Sequence, residues 1–233
     1  MKEEVKNQVS LLLENDKSGH GMDHINRVLN LSLRFALEEN ANLEVVSLIA
    51  LLHDVDDHKL FGVDSANRLT NARAIMNQCD INFEIQQKVC SALRCIGYSK
   101  RLNGLVPSTI EGMVVSDADM CDALGANGIL RVYTYTLRSG DTFFDKNIFP
   151  KEEVNYKEYI QKNANTGICH MFEKILRLRG MMLTDSGKME AEIREKIVID
   201  FLYHLFREEN AIEWKNYLDG YLDSRKLVLK KQE

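Results

Sequence analysis

The run Leu43-Glu44-Val45-Val46-Ser47-Leu48-Ile49-Ala50-Leu51-Leu52 is apolar almost all round a helical wheel, and it stops abruptly on His53-Asp54-Val55-Asp56-Asp57-His58-Lys59. A helix that is apolar on every side has to be surrounded by other elements, which makes it the centre of whatever forms here. The ionisable pair at its end is costly to bury unless something charged receives it. A metal ion would do that, and further ligands can be sought on either side: His24 precedes the pair and Asp119 follows it.

The rest of the chain supplies helices to do the surrounding. Val5, Val9, Leu12 and Leu13 fall at three- and four-residue spacings, predicting a helix over 2–14. Ile25, Val28, Leu29, Leu33, Ala36 and Leu37 share one face of a helix from His20 to about Glu39. Helices are expected at about 65–79 and 83–96. Ser108-Thr109-Ile110-Glu111 after Pro107 has the form of a capping box, so a helix should start there and run to about Leu124. Gly125 and Gly128 should loosen or bend the chain before a helical stretch to Leu137. Residues 139–150 read as a loop, and helices resume at about 151–162, 168–179, 187–208 and 211–228. With 2 prolines and 13 glycines in 233 residues, a turn-rich β architecture is unfavoured. The expected fold is all-α, a helical bundle over 1–233 with the site between its central helices and a C-terminal helix appended.

A net charge of -5 argues against a nucleic-acid polymer as partner, because such binding rests on many Lys and Arg contacts to phosphate. A small anionic ligand in a local basic pocket is compatible with it. The 5 cysteines include no C-x-x-C and do not form a disulfide or zinc-ribbon pattern, which fits a reducing cytosol. The start lacks the apolar stretch of a signal peptide, and no run reaches membrane-spanning length. The expectation is a soluble cytoplasmic protein without a membrane partner.

On a helix His20, His24 and Arg27 lie at i, i+4 and i+7 and share a face. His24 is the ligand candidate, with His20 and Arg27 as outer or phosphate-facing groups; the plain alternative is a surface helix with solvated histidines. Neighbouring helical side chains diverge by about 100°, so His53 and Asp54 reach one ion only if the helix end is irregular. Asp117, Asp119 and Asp122 lie in one largely apolar stretch, and spacing alone leaves open which of them reaches a cation. Lys59 adjoins the site. Lys100 and Arg101 follow the turn Ile96-Gly97-Tyr98-Ser99, and His170 and Lys174 sit one helical turn apart. Each of these cations could equally be a solvated surface charge.

Four features stand in one order: His20-Gly21-Met22-Asp23-His24-Ile25-Asn26-Arg27-Val28, Leu51-Leu52-His53-Asp54, Asp57-His58-Lys59, and Asp117-Ala118-Asp119. The set resembles the HD-domain superfamily of metal-dependent phosphohydrolases, and in particular its stand-alone bacterial branch. That branch carries segments similar to Asp117-Ala118-Asp119-Met120-Cys121-Asp122-Ala123-Leu124-Gly125-Ala126-Asn127-Gly128-Ile129 and to His170-Met171-Phe172-Glu173-Lys174-Ile175-Leu176-Arg177-Leu178, so the likeness covers about residues 18 to 215. The resemblance implies His24, His53, Asp54 and Asp119 as metal ligands. Where the branch usually has Arg-Leu, this chain has Met120-Cys121, which removes a phosphate-binding arginine.

Two nitrogen and two carboxylate donors form a borderline-hard site. The resemblance then implies one divalent ion, Mn²⁺ in first place with Mg²⁺, Co²⁺, Ni²⁺ or Fe²⁺ as alternatives. Asp57 is the expected proton acceptor, Lys59 and Arg27 the expected stabilisers of phosphoryl charge, and His20, Lys100 and Lys174 the substrate-binding groups. The expected reaction is hydrolysis of a phosphoester or phosphoanhydride in a small phosphorylated metabolite, a nucleotide first, by a metal-activated water. A homodimer is compatible with the sequence. Two other readings compete: a regulatory HD domain without turnover, and a two-iron HD oxygenase. The oxygenase needs extra histidines where only His58 lies between the pair and Asp119.

Overall fold

The computed structural model describes residues 2–14, 21–150 and 166–229, with side chains to residue 225. Among the described residues all regular structure is helical: α1 (Lys2–Leu12), α2 (Met22–Glu38), α3 (Leu43–Leu52), α4 (His58–Arg68), α5 (Thr70–Gln78), α6 (Phe83–Leu93), α7 (Tyr98–Leu102), α8 (Ile110–Asp122), α9 (Gly125–Arg138), α10 (Gly167–Glu173), a 3₁₀ turn (Ile175–Met181), α11 (Asp185–Glu208) and α12 (Ile212–Leu229). The fold is all-α, an HD-type bundle. The expected helix at 151–162 lies outside the described residues. None of these helices is long and apolar enough to cross a membrane.

The central helix is α3, in which every residue from Val45 to Leu52 is buried. Asn42 starts it, its side-chain oxygen accepting from the backbone N–H groups of Glu44 and Val45. Helices α1, α2, α6 and α8 pack around it, and α2 and α8 also pack on each other. Behind them α11 packs on α8, α9, the 3₁₀ turn and α12. Trp214 of α12 is buried among Phe144, Phe149, Phe172 and Phe206, which fixes the 139–150 loop and α10 against α12.

Several details depart from or sharpen what the periodicity implies. Helix α4 starts at His58 rather than near 65; it has no buried residue, and Gly62 interrupts it at φ 83°. Leu69, at φ 54°, separates it from α5. The helix at 110 is capped by Thr109, whose hydroxyl accepts from Gly112 N–H, while Glu111 turns away to accept from the Asn42 N–H instead of closing a box with Ser108. Gly125 and Gly128 do not loosen the chain but make a sharp corner from α8 into α9: Gly125 is at φ 71°, and a Cβ on Gly128 would stand 2.2 Å from the Ala123 carbonyl oxygen. The helix expected at 168–179 breaks at Lys174, where φ is -128°, and continues as the 3₁₀ turn.

Candidate metal centre

Three helix ends meet at one point. His24 comes from the first turn of α2, Asp119 and Asp122 from the last turn of α8, and His53 is the cap residue of α3. After His53 the chain leaves the helical register in a turn through Asp56, and this irregularity lets two sequence neighbours face one place. His24 Nε2 lies 3.1 Å from His53 Nε2, 3.3 Å from Asp54 Oδ2 and 3.5 Å from Asp119 Oδ1. From His53 Nε2 the same two carboxylate oxygens are 3.5 and 3.9 Å away. One atom each of His24, His53 and Asp119 falls within 4.8 Å of the others. The imidazoles form the floor, their side chains 2% and 1% exposed, and Asp54 and Asp119 the mouth, at 13% and 22%.

Hydrogen bonding fixes how both rings face. His53 Nδ1 is 2.8 Å from the Ala50 carbonyl oxygen, which only accepts, so Nδ1 carries the proton and Nε2 keeps its lone pair. His24 Nδ1 donates to Asp122 Oδ2 at 2.7 Å. Burial opposes the Asp122 charge, but the bonds from His24 and Arg27 and the charge of Arg131 outweigh it and hold the carboxyl well below the usual carboxylate range. With both rings neutral, two Nε2 lone pairs therefore converge, with two carboxylates beside them, and only a positive charge, a proton or an ion, satisfies all four. The same surplus shows at His24: burial opposes its ionisation, yet bonds to Asp122 and Asp54 raise its pKa to about 9. A divalent ion fits this donor set. Ligand atoms about 2.0–2.2 Å from an ion stand about 3 to 4 Å apart, as these do.

The three acidic residues of α8 have three surroundings. Asp119 turns to the histidines. Asp117 turns the other way: its oxygens accept from the N–H groups of Leu183 and Thr184 and from the Thr184 hydroxyl, at 2.7 to 3.0 Å. Asp122 accepts from Arg27 Nε and Nη2 at 2.7 and 3.0 Å and from Arg131 Nη1 at 2.8 Å, besides His24. Asp56 is also buried and holds the entry of α5, accepting from Ser65 Oγ, Asn71 N–H and Ala72 N–H.

The expected phosphate and proton groups fall into place unevenly. Arg27 takes the outer of the two places expected of it: its guanidinium is bound to Asp122 behind His24. Asp57 caps α4, Oδ1 accepting from Lys59 N–H at 2.9 Å. Lys100 is half-buried and donates to the Leu93 carbonyl at 2.7 Å. Burial lowers its pKa, while Cys95, Asp54, Asp57 and Asp119 act on it in the opposite sense, so its ammonium is within electrostatic reach of the cluster. Lys174 lies over the Tyr98 ring, 4.9 Å from the centroid. Burial, then the charges of Lys174 and Lys59, push the His170 pKa down to about 3, so these three groups share one neighbourhood. His20 lies outside the described residues. Arg131 was not legible in the sequence, since it reaches Asp122 only through the glycine corner at Gly125 and Gly128.

Comparison with known proteins agrees with this architecture. No family model matches the chain. A Lactobacillus plantarum protein of known crystal structure is 31% identical, with a TM-score of 0.78 over 90% of this chain and 97% of that one. A Bacillus thuringiensis HD-superfamily hydrolase is 28% identical, with a TM-score of 0.70 over 90% and 97% of the two chains. YpgQ of Bacillus subtilis is 28% identical over 215 residues, 91% of this chain and 95% of YpgQ. Its crystal structure in complex with ADP superimposes with a TM-score of 0.67 over 89% and 94% of the chains. In sequence order, helical architecture and structural relatives alike, the chain belongs to the HD superfamily.

Proposed function

We propose that this protein is a divalent-metal-dependent phosphohydrolase acting on a nucleotide, with His24, His53, Asp54 and Asp119 as the ligands and Mn²⁺ as the preferred ion. The observation that carries the reading is the convergence of two fixed imidazole Nε2 atoms with two carboxylates at the mouth of the site. The hydrolase character of the Bacillus thuringiensis relative and the ADP complex of YpgQ support it. An ion held there supplies Lewis acidity, acidifying water and polarising a phosphoryl oxygen.

The chain's own groups have the remaining tasks. Asp57, with one oxygen capping α4, offers its second oxygen as acceptor for the proton lost by the attacking water. Lys59, Lys100 and Lys174 oppose the negative charge on the phosphoryl oxygens, where fixed cations favour the transition state. Lys100 is well suited, because its bond to the Leu93 carbonyl orients the ammonium before substrate arrives. Arg27 is not among these groups; it serves Asp122.

The test is product identification from a panel of nucleoside mono-, di- and triphosphates with Mn²⁺, using Asp54→Ala as control. The expected outcome is phosphate or pyrophosphate released by the wild type and at background in the control. Mn²⁺ binding without release from any nucleotide would move the assignment to the regulatory reading.

A further inference from the structure

We propose that Asp122 and Arg131 are positioning residues for the metal centre: together with Arg27 they hold the His24 ring in the one tautomer and orientation that presents Nε2 to the ion. The inference rests on the metal reading above and concerns groups that touch neither ion nor substrate.

Asp122 is almost fully buried, its side chain 2% exposed, and its two oxygens receive four donors: His24 Nδ1, Arg27 Nε, Arg27 Nη2 and Arg131 Nη1. Oδ2 takes three of these donors and Oδ1 takes Arg27 Nε, and the group faces the Nδ1 edge of His24, opposite the Nε2 that faces the cluster. It can act on the site only through His24, to which it is bonded at 2.7 Å. The two arginines come from different helices, Arg27 one turn after His24 on α2 and Arg131 from α9, so α2, α8 and α9 are locked at one carboxylate. Two guanidinium groups fix the carboxylate plane from two sides, which a single partner would leave able to rotate. Arg131 Nη1 also lies 3.3 Å from His24 Nδ1, closing the back of the ring against another acceptor. His53 is held more simply, by the Ala50 carbonyl of its own helix. The His24 side thus depends on side chains distant in sequence, so a side-chain substitution there can retune a ligand without removing it.

An amide at 122 exposes the dependence. Asparagine has one oxygen and one NH₂ group where the carboxylate has two oxygens. An amide NH₂ at the Oδ2 place meets His24 Nδ1, Arg131 Nη1 and Arg27 Nη2 donor to donor, and one at the Oδ1 place meets Arg27 Nε. In either case the negative charge that held His24 is gone. Outer groups of this kind are worth about 10- to 100-fold in metal affinity.

The experiment is calorimetric titration of Mn²⁺ into the full chain for wild type, Asp122→Asn, Arg131→Met and Arg131→Lys, with circular dichroism to verify folding and turnover measured across Mn²⁺ concentration. Asp122→Asn is expected to weaken Mn²⁺ binding about 10- to 100-fold, with turnover recovering as Mn²⁺ is raised. Arg131→Met should weaken it less, and Arg131→Lys should restore part of the loss. A folded Asp122→Asn with wild-type Mn²⁺ affinity would overturn the proposal. So would affinity kept with turnover lost at saturating Mn²⁺, which would place these groups against substrate. If Asp122→Asn does not fold, the partly exposed Arg131 decides, and unchanged affinity in Arg131→Met overturns the proposal alone. A wild type that binds no divalent ion overturns the metal reading and this one together.

Discussion

His170 shows how a single side chain can set a pH limit on the fold. Burial, reinforced by the positive charges of Lys174 and Lys59, lowers its pKa from 6.5 to about 3. Between those values the unfolded chain takes up a proton that the folded chain refuses, so stability is intact above pH 6.5 and falls as pH drops toward 3. Going from pH 7 to pH 5 should therefore cost the wild type more stability in urea unfolding than it costs His170→Gln. Equal losses in the two proteins would show that His170 titrates normally in the fold. At this scale the sequence was only partly informative. It singled out His24, His53 and Asp54 in order, but Asp117, Asp119 and Asp122 could not be sorted by spacing. What separates them is the neighbour that each meets: the Leu183–Thr184 backbone, the two imidazoles, and two arginines.

Among the elements, α8 joins the site to the C-terminal half. Its Asp117 receives the start of α11, where Thr184 also caps the helix through Gly187 N–H. A Cβ at Gly187 would stand 2.3 Å from Asp117 Oδ2 and 2.8 Å from its Cβ. Asp117 is buried and bonded on both oxygens, so it has no room to give. Gly187→Ala should thus destabilise by about 1–3 kcal/mol through overpacking, although alanine is the better helix former. Urea midpoints of variant and wild type decide it, and a stabilised variant would mean that α11 shifts freely. Helices with a buried stripe, such as α2, α6 and α8, were legible because the apolar period that fills the core is also the one visible in sequence. Helix α4 was not, because it buries no residue and so carries no stripe. The glycine bend was legible, but only the packed structure shows how closely Gly128 meets the Ala123 carbonyl.

On the scale of the whole molecule, the all-α architecture followed from local periodicity, whereas the candidate site joins His24 to His53, 29 positions on, and to Asp122, 98 positions on, which no local pattern connects. That long-range information was accessible only through likeness to a known family. The core is also unevenly distributed around the site. Helices α2, α3 and α8 press buried side chains against one another, and α4, which begins directly after Asp57, contributes none. Segments with few buried contacts open with little free energy, independently of global unfolding. Backbone amides of 58–68 should therefore exchange with deuterium well ahead of those of 45–52, and at a rate insensitive to mild denaturant. If both segments exchange together, α4 is bound into the cooperative unit. Otherwise the stretch bearing Lys59 breathes on its own clock, and whatever Lys59 holds is held only for as long as that segment stays closed.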